Sequence, residues 1–344
     1  MDKTKKILIT GATGFIGTTL VRQLLADGWS LHTMSRSVPT LPPGYDGESG
    51  SLWDNPKVTH FRGDVSDPDA IGKAMDGCDY VIHLAGYARN YAKEMSVYTK
   101  INIEGMRNVF NAALDRRVER IVWTSTIVTL GPTPKKVTGN ETMARITDKC
   151  FTEYERTKTI AEQEAYGWVE RGLPLVIVNP TRVYGPGQLS EGNALAALID
   201  DYMHGRLPFL LNAGVNVGNY VLVDDLARGI YLALENGTIG QRYILGGENA
   251  TLGDFFRMID KVTGKKHWKI PVFRPGSMVF AYAQLLFAKA FGVYPRITPG
   301  WMRTFLADWA FTCDKAKREL GYDPVSLEEG LQRTCEWIDK IKKK

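Results

Sequence analysis

The chain has 344 residues, 44% hydrophobic and 24% charged, with a formal net charge of +5. That is an ordinary globular composition, long enough for a large core and two domains. Much of the positive excess sits in the first six residues and in the Lys340–Lys344 tail, and no basic stripe with interleaved aromatics appears, so nucleic acid is not an expected partner.

The start, MDKTKKILIT, runs directly into a strand pattern without a signal peptide. Lys6–Thr10 (KILIT) is strand-like and Phe15–Ala26 is apolar at helical spacing. Strand runs follow at Leu31–Met34, Val58–Phe61 and Tyr80–Leu84. A helical pattern at Val97–Arg116 leads to a strand at Ile121–Thr124, and another at Thr152–Arg171 leads to Leu175–Val178. Strands that are apolar throughout, with helices between them, predict an α/β fold: a doubly wound parallel sheet covered on both faces. The Pro/Gly-rich stretch at Pro39–Gly50 reads as the longest loop. Beyond Pro180, helical patterns at Leu195–His204, Leu252–Val262 and Gly276–Phe291 are separated by irregular pieces. The expected division is a dinucleotide-binding unit over 1–180 with a return at 219–247, and a smaller interleaved substrate unit over 181–218 and 248–344. Strand returns to the sheet are expected around Tyr220–Val223 and Arg242–Leu245. Met278–Val293 (MVFAYAQLLFAKAFGV) is too short and too interrupted for the ~18–20 residues of a membrane span. It reads as a buried amphipathic helix, with a pocket-lining or membrane-surface helix as the alternative. Cys78, Cys150, Cys313 and Cys335 lack metal or CxxC spacing and read as free thiols in a reducing compartment. No metal is expected, and a cytoplasmic location without an integral span is.

ILITGATGFIG, Ile7–Gly17, ends a strand and opens a helix with glycines at Gly11, Gly14 and Gly17. Such a turn aims backbone N–H groups at an anion, and the missing Cβ atoms admit a pyrophosphate. Thr13, Phe15 and Ile16 belong to the same loop. The second strand ends in LHTMSRS. Ser35 stands where an NAD-binding carboxylate is expected, and Arg36 beside it offers a guanidinium to a 2′-phosphate. NADP(H) is therefore expected over NAD(H). Asp64, before Val65, would hydrogen-bond the adenine amino group or cap the helix starting near Pro68. Leu84, Ala85 and Gly86 end the fourth strand with residues small enough for a backbone to lie along the cofactor. His83 reads as a core histidine. YERTK places Tyr154 and Lys158 on one helical face. Alone, that pair is far more often a surface pattern than a proton donor with the cation that tunes it.

TGATGFIG, Asp64–Val65, HLAG, INIEGMRNV, WTST, YERTK and NPTRVYGPG occur in an order that resembles the extended short-chain dehydrogenase/reductase family, within the NAD-dependent epimerase/dehydratase superfamily. The segments YILGGENATLGDFF and KRELGYDP are similar to its dihydroflavonol-reductase and 3β-hydroxysteroid-dehydrogenase-like branch. The resemblance covers nearly the whole chain. It implies a Rossmann fold and Tyr154 as general acid/base, with Lys158 favouring the phenolate. It also implies Thr126 as the hydroxyl opposite Tyr154, with Ser125 touching the cofactor or itself taking that role. Asn102 would support the lysine, and Pro180 and Val183 would lie near the nicotinamide. The implied activity is reversible reduction of a ketone or aldehyde. The rivals are a nucleotide-sugar epimerase or dehydratase, with Arg182 compensating for an arginine absent before the late strand at Asn219, and a non-catalytic NADP(H)-binding protein. Phe209, Leu210, Met278, Phe280, Tyr282 and Phe287 hint at an apolar small-molecule substrate. Relatives often dimerise through the helices that carry Asn102 and Tyr154, so a homodimer is also implied.

Overall fold

The computed structural model describes residues 1–37, 50–189, 191–295 and 297–343. The expected loop over 39–50 lies almost wholly outside them. The strands run in chain order β1 (Lys6–Thr10), β2 (Ser30–Ser35), β3 (Val58–Arg62), β4 (Tyr80–His83), β5 (Arg120–Thr124) and β6 (Leu175–Pro180). They continue with β7 (Arg182–Tyr184), β8 (Phe209–Leu211), β9 (Val217–Leu222), β10 (Arg242–Leu245), β11 (Glu248–Thr251) and β12 (Ile270–Val272). Seven of them form a parallel sheet in the order β3-β2-β1-β4-β5-β6-β10. The winding reverses between β1 and β4, the place where open α/β sheets leave a crevice at their carboxyl ends.

Both faces of the central strands are buried, which is why β1, β4, β5 and β6 are largely apolar without alternation, while the edge strand β3 (VTHFR) is partly exposed. Ile7 and Ile9 point to one face, against Leu20, Val21 and Leu24 of the helix Phe15–Ala26 and Leu226 and Ile230 of the helix Val223–Asn236. Leu8 and Val81 point to the other, against Val109 and Phe110 of the helix Gly105–Asp115 and Ala161 and Ala165 of the helix Glu153–Glu170. A third cluster joins Tyr184, Tyr220, Phe255 and Phe256 to Leu331 and Ile338. It lies beneath the helices Leu252–Thr263 and Leu327–Lys342.

Three expectations need correction. The run Val97–Arg116 is not one α-helix: a π-helical turn, Lys100–Glu104, separates Ser96–Thr99 from Gly105–Asp115. Arg242–Leu245 joins the parallel sheet, but Val217–Leu222 does not. It pairs with β7 and β11 in a separate three-stranded sheet. An apolar run signals a strand, but its partner is chosen by tertiary contacts. Finally, the helix Arg274–Phe291 is not buried. Only Ser277, Ala281 and Ala288 of its length are buried, while its large apolar residues are mostly exposed.

Two glycine substitutions test this packing. A Cβ on Gly17 would lie 2.3 Å from the Gly11 carbonyl oxygen, so Gly17→Ala must push the loop from its helix. Urea denaturation should show a loss of about 1–3 kcal/mol. Gly167 lies within the helix Glu153–Glu170 with no neighbour within 4 Å of an added Cβ. Gly167→Ala should raise stability by about 0.5–1 kcal/mol.

Candidate active site

The crevice between β1 and β4 is a groove of about 270 Å³. Gly11, Thr13 and Gly14 line it from the first loop, Arg36 from the end of β2, Asp64 and Val65 from the end of β3, and Leu84, Ala85 and Gly86 from the end of β4. Nine of the expected dinucleotide contacts thus meet in one groove. Gly11 has φ +73°, and a Cβ there would come within 2.8 Å of the Ala85 nitrogen. The helix behind it begins at Gly14 without a side-chain cap and without an acidic residue in its first turn. Its first N–H groups and positive end therefore face the groove uncompensated, a cradle that fits a pyrophosphate. A larger opening of about 470 Å³, bounded by Leu210, Gly214, Thr251 and Lys269, holds none of these residues.

Other members of the expected set take different positions. Phe15 is buried, with its ring where a Cβ on Gly187 would lie, and Ile16 packs on the core below β1. These side chains support the loop and only their backbone faces outward. Asp64 does not cap the next helix. It accepts from the Ser66 nitrogen at 2.8 Å, and Asp67 makes the cap instead. Asn102 sits in the π turn. Its Oδ1 accepts from the Tyr87 nitrogen at 2.7 Å, and its amide donates to Tyr87 O and to Thr157 Oγ1. It braces the loop after β4 against the helix of the pair, through Thr157 beside Lys158. Pro180 ends β6 beside Leu245, and Val183 in β7 packs against the core. His83 is buried, within 2.7 Å of Thr10 Oγ1, and burial pushes it down to about 3.

Tyr154 and Lys158 occupy the first two turns of the helix Glu153–Glu170, whose start is firmly placed. Thr152 caps it by accepting from the Glu155 nitrogen, and buried Glu155 holds Arg145 at 2.8 Å and the Phe151 nitrogen at 2.7 Å. Burial, the larger effect, pushes the Tyr154 phenol up to about 12, and the nearby Thr126 side chain draws it the other way. Lys158 is buried over the Trp123 ring, its Nζ 4.3 Å from the centroid, and donates to Thr124 O at 2.9 Å. Burial lowers its pKa to about 7, opposed by the charge of Glu162.

Ser125 and Thr126, the two hydroxyls left open, have different neighbours. Ser125 is buried and donates to the carboxylate of Glu162, a bond it would have to give up to hold a substrate oxygen. Glu162 also accepts from Thr129 at 2.8 Å, Asn179 at 2.9 Å and Arg242 at 3.0 Å. Sequence reading missed this residue. Its one signal was spacing, four residues after Lys158 on the same helix, and its four partners lie 17 to 80 residues away.

The NAD dependent epimerase/dehydratase family model matches residues 7–246. The chain belongs to that family. It is an enzyme of the extended short-chain dehydrogenase/reductase type, and its cofactor class is a nicotinamide dinucleotide. A protein of Synechocystis sp. assigned as a dihydroflavonol 4-reductase is 28% identical, over 96% of this chain and 93% of its own length. Sterol demethylase protein B of Methylococcus capsulatus is 26% identical, over 96% and 97%. The crystal structure of UDP-glucuronic acid 4-epimerase from Bacillus cereus with NAD superposes with a TM-score of 0.76 at 25% identity, covering 98% of this chain and 99% of that one.

The depressed Lys158 pKa makes a stability prediction for this family member. The unfolded chain holds the proton up to 10.5 and the folded chain only to about 7. Between those values the unfolded state binds more protons, so stability rises with pH through that window. Lys158→Met should flatten the rise in urea denaturation. An unchanged pH profile would show that another group causes it. Glu162→Ala takes the acceptor from Ser125 and one bond each from Thr129, Asn179 and Arg242, which keep others, and should cost about 3 kcal/mol.

Proposed function

We propose that this chain is an NADP(H)-dependent oxidoreductase that interconverts a ketone or aldehyde and an alcohol on a hydrophobic small molecule. The observation that carries the reading is the meeting of the Tyr154 and Thr126 hydroxyls one helical turn from buried Lys158. When bound, the dinucleotide supplies or accepts a hydride. In the reducing direction Tyr154 gives its proton to the substrate oxygen as the carbonyl carbon gains the hydride, and Thr126 holds that oxygen by a hydrogen bond. Free tyrosine, with a pKa near ~10, exchanges a proton poorly at neutral pH. A protonated Lys158 favours the phenolate left behind. Asn102 and the Thr152 cap keep the helix and the loop after β4 in register for this exchange.

Arg36 is exposed at the end of the groove, and Arg62 reaches its carbonyl oxygen at 3.3 Å. Ser35, in the place of a carboxylate, donates its hydroxyl to Ser37 O at 2.7 Å. Guanidinium groups at the ends of β2 and β3, with Ser35 in the place of a carboxylate, suit a 2′-phosphate, and this supports NADP(H). Segments 181–218 and 248–344 then supply the substrate side. Helix Pro299–Phe305 abuts Phe151 and Thr152, immediately before Tyr154, and carries Trp301 and Phe305 with rings 5.4 Å apart. Those rings favour an apolar substrate, in keeping with the sterol in the name of the Methylococcus relative.

The nucleotide-sugar reading finds less support. Asn219 is buried and donates to Gly247 O, Asn249 Oδ1 and Phe311 O. Arg182 lies over the Tyr220 and Phe305 rings and donates to the Tyr220 hydroxyl. It would have to leave these partners to clamp a diphosphate.

NADPH absorbance and product mass spectrometry, against apolar ketones, aldehydes and nucleotide sugars, test the reaction class. The expected result is net NADPH consumption with a product two hydrogens heavier. A nucleotide sugar converted without net consumption establishes the epimerase or dehydratase reading. Tyr154→Phe should lower turnover by about 10²–10⁴-fold with cofactor affinity nearly unchanged. Arg36→Ala should weaken NADPH binding by about 10–100-fold and NADH binding little. Equal losses for the two cofactors would remove the 2′-phosphate assignment.

A further inference from the structure

The helix Arg274–Phe291 presents a face that the protein does not cover. Val279 is 70% exposed, Leu286 and Phe291 68%, Phe287 57% and Phe280 51%. Val279, Ala283, Leu286 and Ala290 follow at i, i+4, i+7 and i+11, and Phe280, Phe287 and Phe291 flank them, so these residues share one side. The opposite side attaches by small residues, with Ala281 packed on Met302 and Leu306. The rings of Phe287 and Phe291 pack on each other at 4.5 Å. Upstream, Trp268 is 87% exposed, next to exposed Lys265 and Lys266, and Phe273 at the start of the helix is also exposed. A contiguous apolar face of this size marks an interaction surface.

Charge identifies what it meets. From residue 261 to residue 307 there is no Asp or Glu, and there are eight Lys or Arg. Lys265, Lys266, Arg274 and Lys289 are exposed. A two-fold contact between copies would set the same patch against itself, cation facing cation with no carboxylate in the segment to pair them. Apolar residues with Trp and Lys at the margin suit a headgroup–acyl boundary, where cations meet anionic lipid. Among the described residues no helix is long and apolar enough to cross a membrane, so this helix would lie on one.

We propose that the exposed face of the helix Arg274–Phe291, with Trp268 and its neighbouring lysines, binds the surface of an anionic lipid bilayer. The helix leads directly to the candidate active site. After Gly292 the Tyr294 hydroxyl lies 2.8 Å from Tyr91 O, in the loop after β4, and 3.0 Å from Glu191. The helix Pro299–Phe305, downstream, abuts the residues before Tyr154. An apolar substrate dissolved in the bilayer would meet the cleft at its rim. That last step rests on the hydrophobic-substrate reading; the binding surface does not.

Co-sedimentation of the full chain with vesicles tests it, because the readout is binding and not turnover. The chain should sediment with phosphatidylglycerol–phosphatidylcholine vesicles, less with pure phosphatidylcholine, and less at high salt. The double variant Leu286→Glu/Phe287→Glu should lose at least about tenfold in binding. Lys265→Glu/Lys266→Glu should reduce binding to the anionic vesicles alone. Circular dichroism and NADPH binding should be unchanged in both, since all four side chains are exposed. Absence of binding to anionic vesicles, or equal binding by the wild type and the Leu286→Glu/Phe287→Glu variant, overturns the proposal. So does a dimer in sedimentation velocity that this variant converts to monomer, which would make the face a self-contact.

Discussion

One buried carboxylate ties the candidate active site together. Glu162 accepts from Ser125 and Thr129 after β5, from Asn179 in β6 and from Arg242 in β10. It sits one turn beyond Lys158 on the helix that carries Tyr154. The helix therefore cannot slide or rotate against the sheet without breaking a charge-assisted network in a water-poor interior, where unmatched partners are costly. The same contact occupies the Ser125 hydroxyl, which favours Thr126 as the partner of Tyr154 in the proposed reaction. Its charge also opposes the burial that drives Lys158 toward neutrality. Placement, choice of hydroxyl and proton affinity thus depend on one residue.

The other braces act on the same helix from different directions. Thr152 and Glu155 secure its start, with Arg145 reaching back to the carbonyl oxygens of Val128 and Thr129. Asn102 ties it, through Thr157, to the loop that lines the groove after β4. The groove and the helix of Tyr154 are separate constructions, and Asn102 couples them. Such support by surrounding packing and hydrogen bonds is what holds reacting groups near productive geometry.

The reading of a reductase on an apolar substrate and the reading of a bilayer-facing helix support each other without depending on each other. Phe209, Phe280, Tyr282 and Phe287, which hint at an apolar ligand in sequence, are exposed rather than part of the core. Another apolar pair, Trp301 and Phe305, stands on the helix that abuts Phe151 and Thr152, just before Tyr154.

What was legible in the sequence was local. The loop Gly11–Gly17 is read from residue type, because only glycine tolerates a backbone oxygen 2.3 Å from its Cβ position. The parallel sheet is read from strands with no polar face, and the Tyr154–Lys158 pair from a spacing that one helical turn imposes. The chain order of strands and helices follows from these periods. Only the tertiary structure decided the rest. The π turn at Asn102, the partner of Val217–Leu222, the partner of the Ser125 hydroxyl and the role of Glu162 all depend on residues far apart in the chain. The exposure of Arg274–Phe291 was hidden for the same reason. An apolar helix has the same pattern whether protein or another phase covers it, and burial belongs to the neighbours, not to the residue.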